Sequence, residues 1–148
     1  MSEIRPLSAA DHAAWLPLWQ AYQRFYGVDL PEATTRAAFA RMTDAAEPMW
    51  GALAFEAGEA VGLAHYVRHR STWSEADYCY LNDLFVAESG RGRGIGRALI
   101  RHVYDAAGAM GCAKVYWLTH ETNADAQRLY AGVGERTGFI QYRKMLAP

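Results

Sequence analysis

Between positions 88 and 99 the chain reads ESGRGRGIGRAL, with glycine at 90, 92, 94 and 96 and arginine at 91, 93 and 97. A flexible tether would pair glycine with serine, whereas this stretch pairs it with arginine and runs straight into a helix-like segment. Glycine lets backbone approach a ligand closely. Amide groups at a helix start have no intrahelical acceptor and carry the positive end of the helix dipole. The chemistry offered is therefore the holding of a small anion, a phosphate above all. A Walker loop is excluded, because it needs Gly-Lys followed by Ser or Thr and no lysine is present. The dinucleotide pattern G-x-G-x-x-G fails too. Begun at Gly90, Gly92 or Gly94, its sixth place falls on Ile95, Arg97 or Leu99.

The elements that must position this loop can be read around it. "YCYLNDLFV" before it is aromatic and apolar enough for a buried strand. After it, Ile95, Leu99, His102/Val103, Ala106 and Met110 trace one face of a helix that Gly111 ends. "AKVYWLT" reads as a strand, "NADAQRLYAGVGE" as a helix and "FIQYRKML" as a final strand. Upstream, "EIRPLS" reads as a short edge strand, and Ser8 with Asp11 as a capping box opening a helix over about 9–26. Pro31 opens a second helix to about residue 44. "WGALAFE" and "AVGLAHYVRHR" form a hairpin around 57–59, and a polar loop is expected from Ser71 to Asp77. The strand–helix–strand unit implies a right-handed crossover and a parallel pair. The fold expected is a mixed α/β sheet with helices on both faces.

Composition bounds the rest. A chain of 148 residues without internal repeat or linker is read as a single domain, 1–148. A net charge of −1 argues against a general nucleic-acid binder and makes the arginines of the loop a local feature. The N-terminus lacks a signal-peptide layout and no apolar run reaches membrane-spanning length. Cys79 and Cys112 form neither a metal spacing nor a disulfide framework, which favours the cytoplasm. His65 and His69 lie on a strand with no carboxylate or third histidine to complete a metal set, so no metal is expected.

Arg91-x-x-Gly94-x-Gly96 resembles the R/Q-x-x-G-x-G/A signature of the GNAT superfamily, the Gcn5-related N-acetyltransferases. "YLNDLFV" and "VYWLT" resemble its two splayed strands. Asn123-x-x-Ala126-x-x-x-Tyr130 matches its N-x-x-A-x-x-x-Y helix, and Gly138-Phe139 its turn into the last strand. Within the superfamily, "CYLNDLFV", "VYWLTHETN" and "RLYAGVGERTGFIQY" look most like the fungal histone/polyamine acetyltransferase type and its bacterial relatives. The resemblance implies a mostly antiparallel sheet with a parallel splayed pair. It implies acetyl-CoA as co-substrate and direct transfer to a primary amine of a polyamine, lysine side chain or amino acid. The alternative is a non-catalytic acyl-CoA-binding regulatory domain.

Site residues follow from the same resemblance. Gly92, Arg93, Gly94, Ile95, Gly96 and Arg97, with Arg91, would hold the CoA pyrophosphate. The backbone of Leu84, Phe85 and Val86 would meet the pantetheine and thioester oxygen, and Asn123 would face the cofactor arm. Tyr130 stands at the family's position for the proton donor to the CoA sulfur. Several relatives carry a glutamate where this chain has Asn82, and asparagine cannot accept a proton. Asp83 is the nearest carboxylate, acting directly, through water or by attracting the cation; His120-Glu121 is a second possible base. Strand alternation puts Asn82 and Asp83 on opposite faces. Tyr26, Trp73 and Tyr80, within an aromatic group with Tyr22, Phe25 and Tyr78, are candidates to surround an alkylammonium, with Asn82 and Glu121 nearby. A homodimer through the N-terminal helices or last strand is a further expectation.

Overall fold

The computed structural model describes residues 2–147, which fall into two compact units, Met1–Leu118 and Thr119–Pro148. In the first unit, β1 (Ser2–Pro6) leads through a short 3-10 turn to helices α1 (His12–Phe25) and α2 (Glu32–Met42). Strands β2 (Met49–Glu56), β3 (Glu59–Ser71) and β4 (Ser74–Val86) follow, then α3 (Ile95–Ala109) and β5 (Lys114–Tyr116). The sheet runs β1-β2-β3-β4-β5, antiparallel except for the parallel β4–β5 pair.

Local chemistry explains the turns. At the start of α1 the Asp11 carboxylate accepts from the Ser8 N–H at 2.8 Å and from both Arg5 guanidinium arms at 2.9 Å, so the expected capping box forms. Ala57 (φ 49°) and Gly58 (φ 81°) make the two-residue β2–β3 turn, whose two positive φ values match the twist of the strands. The polar loop expected over 71–77 is instead strand. Ser71 already faces Ser74, and the Ser71 and Ser74 hydroxyls accept from the N–H of Trp73 and Ala76 at 3.1 Å each. Polar side chains that satisfy a tight turn locally let the ladder run almost to its tip.

The two faces of this sheet have different textures. Leu53, Leu63 and Phe85 pack with Leu7, Trp15, Leu18, Trp19, Phe39 and Met42, which sets α1 and α2 on one side. On the other, Ala52 and Ala54 of β2 pair with Ala64 and Gly62 of β3. A methyl at Gly62 would lie 3.1 Å from Leu99 Cδ1 and 3.3 Å from Ile95 Cγ2, so this small-residue strip receives α3. Buried Ile95, Leu99, Ile100, Val103 and Ala107 form the face that docks there.

The second unit contains α4 (Ala124–Ala131). The strand expected at 139–146 is absent: residues 135–147 carry no regular secondary structure, and Phe139, Ile140, Tyr142, Met145 and Leu146 are exposed. A strand exists only by pairing, and among the described residues of this unit no other strand offers an edge.

Candidate active site

The loop after β4 is anchored from beneath. Gly90 is buried, and a Cβ there would stand 3.1 Å from Ile95 Cδ1 and Val61 Cβ and 3.3 Å from Val86 Cγ1. Its glycine is a packing requirement, one the family signature does not include. Gly92 and Gly94 both adopt φ 79°, where an L side chain is strained, with open space beside them. Gly94 caps α3, so amides from Ile95 to Arg97 begin the helix without intrahelical acceptors. The arginines divide their work. Arg91 Nε donates to the Val86 carbonyl at 3.1 Å. Arg93 pairs with Glu56 at 2.8 Å and donates to the Ser89 carbonyl, tying the loop to the end of β2.

Beside the loop the sheet opens. The β4–β5 ladder joins Tyr78–Tyr80 to Lys114–Tyr116 and stops. Leu84, Phe85 and Val86 pair with Ala64, Leu63 and Gly62 of β3 alone. Alternate amides of that segment therefore face an edge without a ladder. Open strand edge, glycine loop and bare helix start together fit a long thin ligand ending in phosphates.

On the α1/α2 face the register of β3 and β4 slips. His65 faces Asp83 and Tyr66 faces Leu81, so Asn82 is the extra residue of a bulge. The expectation that Asn82 and Asp83 occupy opposite faces fails for that reason. Both line one cavity of about 210 Å³, and Asn82 Nδ2 lies 3.4 Å from Asp83 Oδ1. The remaining walls come from Trp19, Leu30, Thr34, Ala38, Met42, Met49, His65, Tyr66 and Val67. His65 Nδ1 lies 2.9 Å from Asp83 Oδ2, a pairing the sequence reading did not anticipate. The Trp15 indole N–H donates to His65 Nε2 at 3.0 Å. Burial raises the Tyr80 phenol above its ordinary value, and the Asp83 charge adds to the rise.

The expected aromatic cage is divided. Tyr22 meets Phe85 and Tyr26, and Phe25 meets Tyr26, at the end of α1. Tyr80 stacks on Tyr116 at 5.1 Å, and the Lys114 ammonium sits 4.2 Å over Tyr78. Trp73 is 90% exposed at the β3–β4 turn. Tyr26, Trp73 and Tyr80 do not line the cavity; of the first-unit acceptor candidates only Asn82 does. Asp77, at the end of the segment expected to be a loop, is held by Arg68 at 3.3 Å and Arg70 at 3.4 Å.

In the second unit Asn123 caps α4, its Oδ1 accepting from the Ala126 N–H at 3.4 Å. His120 Nδ1 accepts from the Thr122 N–H at 3.3 Å, and the Glu121 carbonyl accepts from Gln127 at 2.8 Å, so this turn is engaged in its own hydrogen bonds. The Glu121 side chain is exposed, and Tyr130 is half-buried on the helix. Among the described residues no group of three or more His, Cys, Asp or Glu is placed to hold a metal ion.

Fold and site together amount to a mixed sheet with one parallel pair, and a single strand that carries a carboxylate in a cavity wall and leads into a glycine loop at a helix start. Residues 15–134 match the acetyltransferase (GNAT) family, to which the chain belongs, and it is an N-acetyltransferase. It is 39% identical over 143 residues to the D-amino-acid N-acetyltransferase HPA3 of Saccharomyces cerevisiae, covering 95% of this chain and 89% of that one. It is 33% identical to the uncharacterized N-acetyltransferase YhfO of Bacillus subtilis, covering 94% of each. Among solved structures, AAC(6')-Iy bound to the bisubstrate analogue CoA-S-monomethyl-acetylneamine superposes with a TM-score of 0.85 at 22% identity, over 99% of both chains.

Proposed function

We propose that the protein transfers the acetyl group of acetyl-CoA to the amino group of a small free amino acid, D-enantiomers preferred, by direct attack in a ternary complex. The observation that carries this reading is Asp83 in the wall of an otherwise mostly apolar cavity, on the same strand whose open edge continues into the glycine loop. The yeast relative's name supplies the acceptor class. The loop amides, that of Gly96 among them, and Arg91, Arg93 and Arg97 hold the pyrophosphate, and amides of Phe85 or Val86 stabilise the developing oxyanion. An ammonium enters against Asp83 and loses one proton to it. The freed nitrogen lone pair bonds to the thioester carbon, the C–S bond breaks with its electrons on sulfur, Tyr130 protonates the thiolate, and the nitrogen's second proton passes through water to restore the phenol. The Tyr130 and Asn123 roles rest on the match to the N-x-x-A-x-x-x-Y motif.

Two free thiols fit a reducing cytoplasm, and the exposed apolar residues 139–146 fit a homodimer contact. Thiol release from acetyl-CoA, measured with D- and L-amino acids, polyamines, lysine peptides and aminoglycosides, tests the assignment. Turnover with apolar D-amino acids is expected. Turnover confined to polyamines or peptides would refute the acceptor assignment, and CoA binding without any acceptor-dependent turnover would refute the reaction.

A further inference from the structure

Asp83 does not stand alone in the cavity wall. A chain of two hydrogen bonds runs from α1 through β3 to β4: Trp15 Nε1 to His65 Nε2 at 3.0 Å, and His65 Nδ1 to Asp83 Oδ2 at 2.9 Å. An indole nitrogen can only donate, so His65 Nε2 must offer a lone pair. That leaves the single proton of a neutral imidazole on Nδ1, pointed at the carboxylate. A second proton would set an N–H against an N–H in a site where the His65 side chain is 6% exposed. Trp15 is fully buried, and its ring lies 5.1 Å from Phe39 and 5.9 Å from Trp19, so the donor is fixed by packing.

We propose that Trp15 and His65 are positioning residues that lock Asp83 in one rotamer, with Oδ2 occupied and Oδ1 turned to the cavity as the atom that takes the amine's proton. The proposal rests on the reading of Asp83 as the base. Both His65 nitrogens are in use, so His65 cannot take that proton itself, although it lines the same cavity. Asn82 supplies the other limit on Oδ1, its amide nitrogen 3.4 Å away. The groups facing His65 are few: Asp83 from β4, Trp15 and Trp19 from α1, Thr34, Ala38 and Met42 of α2 around the cavity, and Gly51 opposite on β2. Asp83 is the titratable one among them.

Two measurements test this. Nitrogen-15 histidine spectra of the full chain, with the His65 signals identified by their loss in His65→Asn, are expected to show the proton of the neutral ring on Nδ1. In Trp15→Phe, which removes the N–H and keeps an aromatic ring, the Nε2–H tautomer should appear and kcat should fall several-fold with an unchanged KM for acetyl-CoA. Turnover gives the second arm. The Asn side chain can put an N–H where Nδ1 was, whereas Gln reaches the Nε2 position. His65→Asn should therefore keep kcat several-fold above His65→Gln, both with an unchanged KM for acetyl-CoA and a cooperative melt.

Equal kcat in the two variants, or a wild-type His65 carrying its proton on Nε2, would overturn the relay. An Asp83→Asn enzyme with wild-type kcat would overturn the base assignment and the positioning role with it, whatever the tautomer. Loss of kcat in Asp83→Asn beside an Nε2–H tautomer would remove the relay alone and leave the base in place.

Discussion

Gly90→Ala is the sharpest test of how the loop is held. The new methyl would sit 3.1 Å from Val61 Cβ, 3.1 Å from Ile95 Cδ1 and 3.3 Å from Val86 Cγ1. Optimal carbon contacts lie at about 3.5–4.0 Å, so three sides are overpacked by several tenths of an ångström. Ile95 Cδ1 is a flexible tip and can yield, but Val61 Cβ moves only with the backbone. Such overpacking costs about 1–3 kcal/mol. In a chain of 148 residues, that corresponds to a fall in Tm of roughly 2–12 °C.

Because the strain falls at the end of the 3-10 turn that follows β4, the amides after it shift. If about 1.4 kcal/mol of the strain is relieved by loop displacement, acetyl-CoA binds roughly tenfold more weakly. Thermal melts and an acetyl-CoA titration read both quantities. Ile95→Val removes the methyl contacted at 3.1 Å, and the double variant should recover part of the loss as a positive coupling in the cycle. A Gly90→Ala protein with wild-type Tm and wild-type acetyl-CoA affinity would refute the packing argument.

Arg93 is already paired with Glu56, so Glu56→Gln and Arg93→Ala should each weaken acetyl-CoA binding by about two- to fivefold; tighter binding in Glu56→Gln would show that Arg93 serves the phosphates better when released. The Arg5 guanidinium holds the Asp11 carboxyl below its ordinary value. Its stabilising contribution is complete above the unfolded carboxylate value and is lost as pH falls through the lower folded value. Urea unfolding should find Asp11→Asn less stable by about 1–3 kcal/mol at neutral pH, with the gap closing in acid; a gap independent of pH would contradict the linkage. Burial pushes the Cys79 thiol up to about 12, and the Cys112 thiol is raised as well. A thiol reagent at pH 8 should leave Cys79 unmodified in the folded protein and label both in denaturant, and rapid labelling of Cys79 in the native state would rule this out.

Much of the glycine loop and its flanking elements was legible in the sequence. The loop's glycine spacing, the apolar strand before it and the amphipathic helix after it are local patterns, and local patterns survive being read one residue at a time. The capping box at Ser8 and Asp11 belongs with them. The cavity around Asp83 was not legible, because it is assembled by register. Counting back from Ser71 facing Ser74, a regular hairpin would set His65 against Tyr80. Two slips in the ladder, at His69/Ser71 and at His65/Tyr66, set it against Asp83 instead. The second slip also turns Asn82 and Asp83 to one cavity, which strict alternation forbids. Reading 71–77 as a loop hid the pairing altogether. Residues 139–146 have the composition of a strand, yet composition supplies no neighbouring edge.

By itself the sequence determined the family and the glycine loop between strand and helix, since glycine conformations and helix starts depend on a few adjacent residues. Only the tertiary structure decided which carboxylate and which histidine meet, because a bulge of one residue moves side chains across a sheet and no local preference records it.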